Sequence, residues 1–167
     1  VTDTFLGSPA AKVPYVVAYA IHPDITRTGN YVFRVSAMGE VQGRGGAKLV
    51  SSLGKKKVTI ITVKNDFGQA LAAGFKEAAP KFGLQITGEY EYGMADRQFG
   101  AVVSKVKADA PEVIYASGYF FNAGPLVSQL RAAGITAPII GQEGYDSDKF
   151  IEIAGAASEG TLVTTSL

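Results

Sequence analysis

From residue 57 onward, short runs of apolar residues alternate with longer stretches in which apolar residues recur every third or fourth position. Residues 58–63 (VTIITV) form a near-continuous apolar run, the signature of a strand covered on both faces. After a turn over 64–68, Leu71, Phe75 and Ala78 fall on one helical face, and Asp66 with Gln69 three residues on predicts a capping box. Pro80 predicts the end or a bend of that helix, with Phe82 and Gly83 closing the segment. Residues 84–92 alternate polar and apolar as a strand does. Asp96 then predicts the cap of a helix striped by Phe99, Val102, Val103 and Val106 and stopped by Pro111. Residues 113–116 are a second apolar run, ending at Ser117-Gly118. An aromatic cluster, Tyr119, Phe120 and Phe121, leads into a helix beginning near Asn122, with Leu126, Leu130 and Ala133 on one face and Gly134 placed for a left-handed cap. Residues 138–140 start a short strand that ends in Gly141-Gln142-Glu143-Gly144. Asp148 predicts the cap of a short helix carrying Phe150, Ile151 and Ile153, Gly155 stops it, and residues 160–165 read as a last strand.

The first third of the chain is less regular. Residues 1–12 hold turn formers with little periodicity, 13–20 (VPYVVAYA) read as a buried strand with Pro14 at its start, and 21–30 read as turn and loop. Residues 31–36 are a short extended run, and 40–53 have the small and apolar positions of a helix weakened by Gly43, Gly45 and Gly46. These glycines precede Lys48 without the spacing of a phosphate loop, so they predict closely packed helix backbones. Strand and helix alternating four times, then a closing strand, predict an α/β fold: a doubly wound, mostly parallel sheet with helices on both faces. The C-terminal ends of parallel strands share one edge of the sheet, so Tyr119 and Glu143 are expected to face a single crevice, where such folds bind ligands.

Composition narrows the chemistry. With 167 residues, 47% of them apolar, the chain suffices for one well-buried domain. Sixteen basic against fifteen acidic residues give no field suited to nucleic acid, and Lys55-Lys56-Lys57 reads as a solvated approach to a strand. No cysteine is present, which removes disulfides, thiolate metal sites and cysteine nucleophiles. His22, the one histidine, sits beside a proline in a turn with no carboxylate partner evident at local spacing, and reads as polar surface. No GxSxG elbow exists and no histidine after residue 22 can serve as a base. Aromatic residues dominate the strand ends, which suits capture of a small molecule. An enzyme is therefore not expected, and no cofactor or metal is implied. A response regulator would want an aspartate where Ser117-Gly118 stands, and Lys64-Asn65-Asp66-Phe67 makes a poor flavodoxin phosphate loop.

Ser117-Gly118-Tyr119 at a strand end, Gln129-Leu130-Arg131-Ala132-Ala133-Gly134, Gly141-Gln142-Glu143-Gly144, Ala154-Gly155 and Glu159-Gly160-Thr161-Leu162-Val163-Thr164 follow one another in an order that resembles the leucine/isoleucine/valine-binding protein family. These are extracytoplasmic solute receptors of ABC importers, two-lobed and roughly twice this length. The resemblance implies that Tyr119 packs on a ligand, that Glu143 pairs with its α-ammonium group, and that Phe67 lines the cleft. Phe120 is either cleft lining or turn packing. On the other lobe, a small-residue and threonine turn of the family corresponds to Tyr19-Ala20-Ile21, where the hydroxyl is absent and a phenol is added. That departure opens the ligand to an aromatic or otherwise modified carboxylate beside a branched-chain amino acid. The resemblance further implies residues 1–36 as a remnant of the first lobe with a crossover, residues 37–167 as the second lobe, and a membrane permease as partner. It also implies a periplasmic or otherwise extracytoplasmic location, secreted or lipid-anchored. Self-association through residues 1–30 is expected from their apolar strand. A ligand-sensing receptor domain and an enzyme of flavodoxin-like fold are the rival readings.

Overall fold

A computed structural model describes residues 13–165 of the chain. The predicted strand over 13–20 shortens to β1 (Tyr15–Val17), which pairs in parallel with β2 (Val32–Arg34) as a separate two-stranded sheet. It is not buried: Val16 and its register partner Phe33 are both exposed, because no second layer covers this ribbon among the described residues. Residues 1–12 lie outside the described residues.

The rest is the predicted α/β alternation. Helix α1 (Gly39–Ser52) precedes β3 (Lys57–Val63), α2 (Asp66–Ala78), β4 (Gln85–Tyr92), α3 (Gly100–Asp109), β5 (Val113–Ala116), α4 (Phe120–Ala132), β6 (Ile139–Gln142), α5 (Asp148–Ala154) and β7 (Thr161–Thr164). The five strands β3 to β7 pair entirely in parallel, in the order β4-β3-β5-β6-β7. Side chains alternate between the two faces, which explains the unbroken apolar runs. Val58, Ile60, Val113, Tyr115 and Ile140 pack with α1 and α2, and the rings of Phe75 and Tyr115 stack at 4.4 Å. Ile61, Val63, Ile114, Ala116 and Ile139 pack with α3, α4 and α5. Each fully buried aliphatic side chain of this kind contributes about 1.5–3 kcal/mol, and both layers depend on that sum.

Of the three glycines expected to pack helix backbones closely, Gly43 does so; a Cβ on Gly46 would meet the Tyr115 ring, and one on Gly45 would meet nothing within 4 Å. A Cβ on Gly43 would lie 2.1 Å from the Leu71 carbonyl oxygen and one on Gly74 would lie 2.1 Å from that of Glu40, so α1 and α2 touch backbone to backbone. Three caps differ from expectation. Asn65, not Asp66, caps α2, accepting the Gly68 N–H at 2.9 Å. Asp96 accepts the Gly93 N–H at 2.8 Å within the preceding turn, and α3 starts four residues later behind Phe99. Ser147 rather than Asp148 caps α5. For α2 and α5 two short polar residues stand together, and only the path of the chain selects the one whose oxygen meets the free amides, whereas α3 has no side-chain cap at all. On α5 the inward positions are Phe150 and Ala154, while Ile151 and Ile153 are exposed. Among the described residues no helix is long and apolar enough to cross a membrane.

Candidate functional site

The strand order reverses direction between β3 and β5, which makes the crevice beyond their C-terminal ends the favoured ligand position in a sheet of this winding. Two turns frame it. In the turn after β3, Asn65 both caps α2 and donates from Nδ2 to the Tyr119 hydroxyl at 3.3 Å. In the turn after β5, the Ser117 hydroxyl accepts the Val63 N–H at 3.0 Å, and the Tyr92 hydroxyl donates to the Ser117 carbonyl at 2.6 Å. Burial pushes the Tyr92 phenol well above its ordinary value of 10.0, so it stays a neutral donor. The turn passes so close to this phenol that a Cβ on Gly118 would sit 2.1 Å from its oxygen. The Tyr119 N–H then donates to Asn122 Oδ1 at 2.9 Å, starting α4 two residues before the predicted position. Tyr119 is held at its backbone, its hydroxyl and its ring.

A cavity of about 420 Å³ opens here, lined by Tyr19, Ala20, Ile21 and His22 on one side and by Asp66, Phe67, Tyr119, Glu143 and Gly144 on the other. Phe67 stacks on Tyr119 at 5.2 Å, and Tyr119 on Phe121 at 5.6 Å with only 5° between the rings. The Arg97 guanidinium covers the outer end of this row, 4.8 Å from the Phe121 centroid. Glu143, at the end of β6, is 9% exposed, and its Oε2 accepts from Gln42 Nε2 at 2.8 Å. Among the described residues the ionisable lining is two carboxylates, one imidazole and the phenols of Tyr19 and Tyr119.

Six of the seven residues expected from the sequence, Tyr19, Ala20, Ile21, Phe67, Tyr119 and Glu143, meet around the cavity. Phe120 does not line it. Its ring meets Phe121 edge-on at 5.3 Å and packs on the apolar layer under α4, which is the turn-packing alternative. Asp66, in the turn after β3, lines the cavity, and so does His22, which its place beside a proline marks only as polar surface. The His22 side chain also has local partners: its Nδ1 accepts the Asp24 N–H at 3.3 Å and lies 3.9 Å from an Asp24 carboxylate oxygen. Gln42 carried no signal, being a polar residue in a glycine-rich helix far from Glu143 in sequence. Among the described residues no group of three or more histidine, aspartate or glutamate side chains is arranged to hold a metal ion.

Residues 8–167 match the model of a family described as periplasmic binding protein. A Leu/Ile/Val-binding protein homolog from Brucella melitensis is 34% identical over 151 residues, covering 89% of this chain and 41% of the relative. A leucine-binding protein from Thermotoga maritima has a solved structure that superposes with a TM-score of 0.86 at 30% identity, covering 92% of this chain and 44% of that one. A solute-binding protein of an ABC transporter from R. palustris, solved in complex with benzoate, superposes at 0.79 with 25% identity, covering 90% and 42%. The chain thus spans less than half the length of these relatives. With the sheet order, the two-sided cavity and a family match over nearly its whole length, the chain belongs to the periplasmic binding protein family.

Proposed function

We propose that residues 37–167 form one ligand-binding lobe of an ABC-importer solute receptor that works outside the cytoplasmic membrane. Residues 1–36 supply the segment that faces this lobe across the cleft. The ligand is an amino acid with an apolar side chain. One observation carries this reading: the nearly buried carboxylate of Glu143, bonded to the Gln42 amide at 2.8 Å, stands in a cavity walled by Phe67 and Tyr119. Apolar walls exclude water from the ligand side chain, and in that setting a carboxylate attracts an ammonium group far more strongly than it would in bulk water. The ligand carboxylate then turns toward the wall made by residues 19–22. Binding at such a site needs neither a nucleophile nor a general base. The mechanical output is closure on the ligand, which presents a surface to a membrane permease, and the exposed β1–β2 ribbon is a place for self-association.

The stacked rings of Phe67, Tyr119 and Phe121 support a second ligand class, aromatic carboxylates. The two classes separate in one titration. With ¹⁵N-labelled chain, L-leucine is expected to shift the backbone amides of Phe67, Tyr119 and Gly144. Shifts there with benzoate and none with L-leucine transfer the reading to aromatic acids; no shift with either, or shifts confined elsewhere, removes this cavity as the ligand site.

A further inference from the structure

Gln42 occupies a helical position where an apolar residue would ordinarily pack. It is 7% exposed, it lies on α1 beside the backbone contact with α2, and it reaches an element distant in sequence to donate to Glu143 Oε2 at 2.8 Å. Its own carbonyl oxygen, Oε1, is buried without a partner among the described residues. A half-satisfied buried amide destabilises a helix–sheet layer, so packing alone gives no reason to place it there. The amide does have a consequence for the cavity. A neutral donor fixes the direction of a carboxylate while adding no positive charge, whereas a lysine or arginine at the same place would neutralise it.

The same helical turn also holds the opposite wall. The Gly39 N–H donates to the Ile21 carbonyl at 3.4 Å, and a Cβ on Gly39 would fall 2.6 Å from Ile21 Cδ1. Ile21 and Gln42 therefore hang on one rigid turn, one reaching the wall made by residues 19–22 and the other reaching Glu143.

We infer that Gln42 is a positioning residue: it aims the Glu143 carboxylate into the cavity as an ammonium receptor, and the first turn of α1 keeps that carboxylate in register with Ile21 across the cleft. The ligand part of this inference rests on the function proposed above. Its structural part does not, and the test has one arm for each. In the first arm, the side-chain amide of Gln42 is observed by ¹⁵N NMR in the 167-residue chain. The expected signal is downfield of exposed glutamine amides and slow to exchange with water, and Glu143→Ala returns it toward them. A Gln42 amide that resembles exposed ones, or that ignores Glu143→Ala, overturns the inference. In the second arm, L-leucine and benzoate are titrated into Gln42→Met. L-leucine is expected to weaken about tenfold and benzoate by less than about twofold, the loss of one hydrogen bond to a charged group. Equal loss for both probes, or none for L-leucine, overturns it. The urea midpoint of Gln42→Met should stay level or rise, since a half-satisfied amide has been removed; a variant that fails to fold shows a structural role and also overturns the inference. If neither probe moves Phe67 or Tyr119 in the unsubstituted chain, the proposed function falls while the first arm still decides whether Gln42 holds the carboxylate.

Discussion

Glu143 carries more of the functional reading than any other residue, because its charge distinguishes an amino acid from a simple carboxylic acid. Replacing it with glutamine keeps the shape and removes the charge. For L-leucine the expected loss is about 2–5 kcal/mol, since a desolvated ammonium group is left without its counter-ion. Benzoate should be unaffected or bind slightly better, having one fewer carboxylate to face. Calorimetric titration of both ligands against Glu143→Gln checks this, and unchanged L-leucine affinity would remove Glu143 from the site. A second carboxylate is structural. Glu112 Oε2 accepts the N–H groups of Lys56 and Lys57 at 2.7 and 2.9 Å, clamping the start of β3. These two backbone hydrogen bonds, Lys57 first and then Lys56, hold its pKa below the ordinary 4.5. A depressed folded-state pKa gives stability that is present above the unfolded value and lost as pH falls through the folded one. The stability advantage of the unsubstituted chain over Glu112→Gln should therefore be present at neutral pH and disappear on acidification below 4.5. Urea midpoints across that range measure it.

Among the elements, the α1–α2 pair leaves no room for side chains where its backbones touch. Gly43 faces the Leu71 carbonyl and Gly74 faces the Glu40 carbonyl, so the two helices meet where neither has a side chain. Alanine at position 43 forces a backbone shift instead of a rotamer change, and overpacking of this kind costs about 1–3 kcal/mol or more. A lowered urea midpoint for Gly43→Ala, with an unchanged one for Gly45→Ala, where a Cβ meets nothing within 4 Å, is the expected pair of results. Element boundaries show where pattern reading stops. The stripe Leu71, Phe75 and Ala78 located α2 because its apolar spacing is imposed by the layer beneath it. The cap did not follow from spacing, since Asn65 and Asp66 have equivalent chemistry and differ only in backbone direction. On α5, a short helix with apolar residues at 150, 151 and 153 offers two possible faces, and its approach to α4 decided for Phe150 and Ala154.

At the scale of the whole molecule, the central strands β3, β5 and β6 are buried on both faces, whereas among the described residues nothing covers the β1–β2 ribbon. Exposed Tyr15, Val16, Phe33 and Val35 give the ribbon an apolar surface, and among the described residues its strands pair only with each other. Pairing between copies of this chain through residues 1–30 is expected. Light scattering at about 100 μM, well above the micromolar dissociation constants of modest interfaces, should report a mass above the monomer, and a clean monomer there would refute it. Sequence alone determined the α/β class, the parallel sheet with helices on both faces and the strand ends that carry Phe67, Tyr119 and Glu143. Those features follow from periodicity and from the rule that parallel strand ends share an edge, both of which act over short stretches of chain. Only the tertiary structure decided that the strand at residues 15–17 is exposed, that Phe120 belongs to packing, that His22 reaches the cavity, and that Gln42 holds Glu143. Exposure, cavity lining and a hydrogen bond between residues 101 positions apart depend on which surfaces meet in space, and no local pattern encodes that meeting.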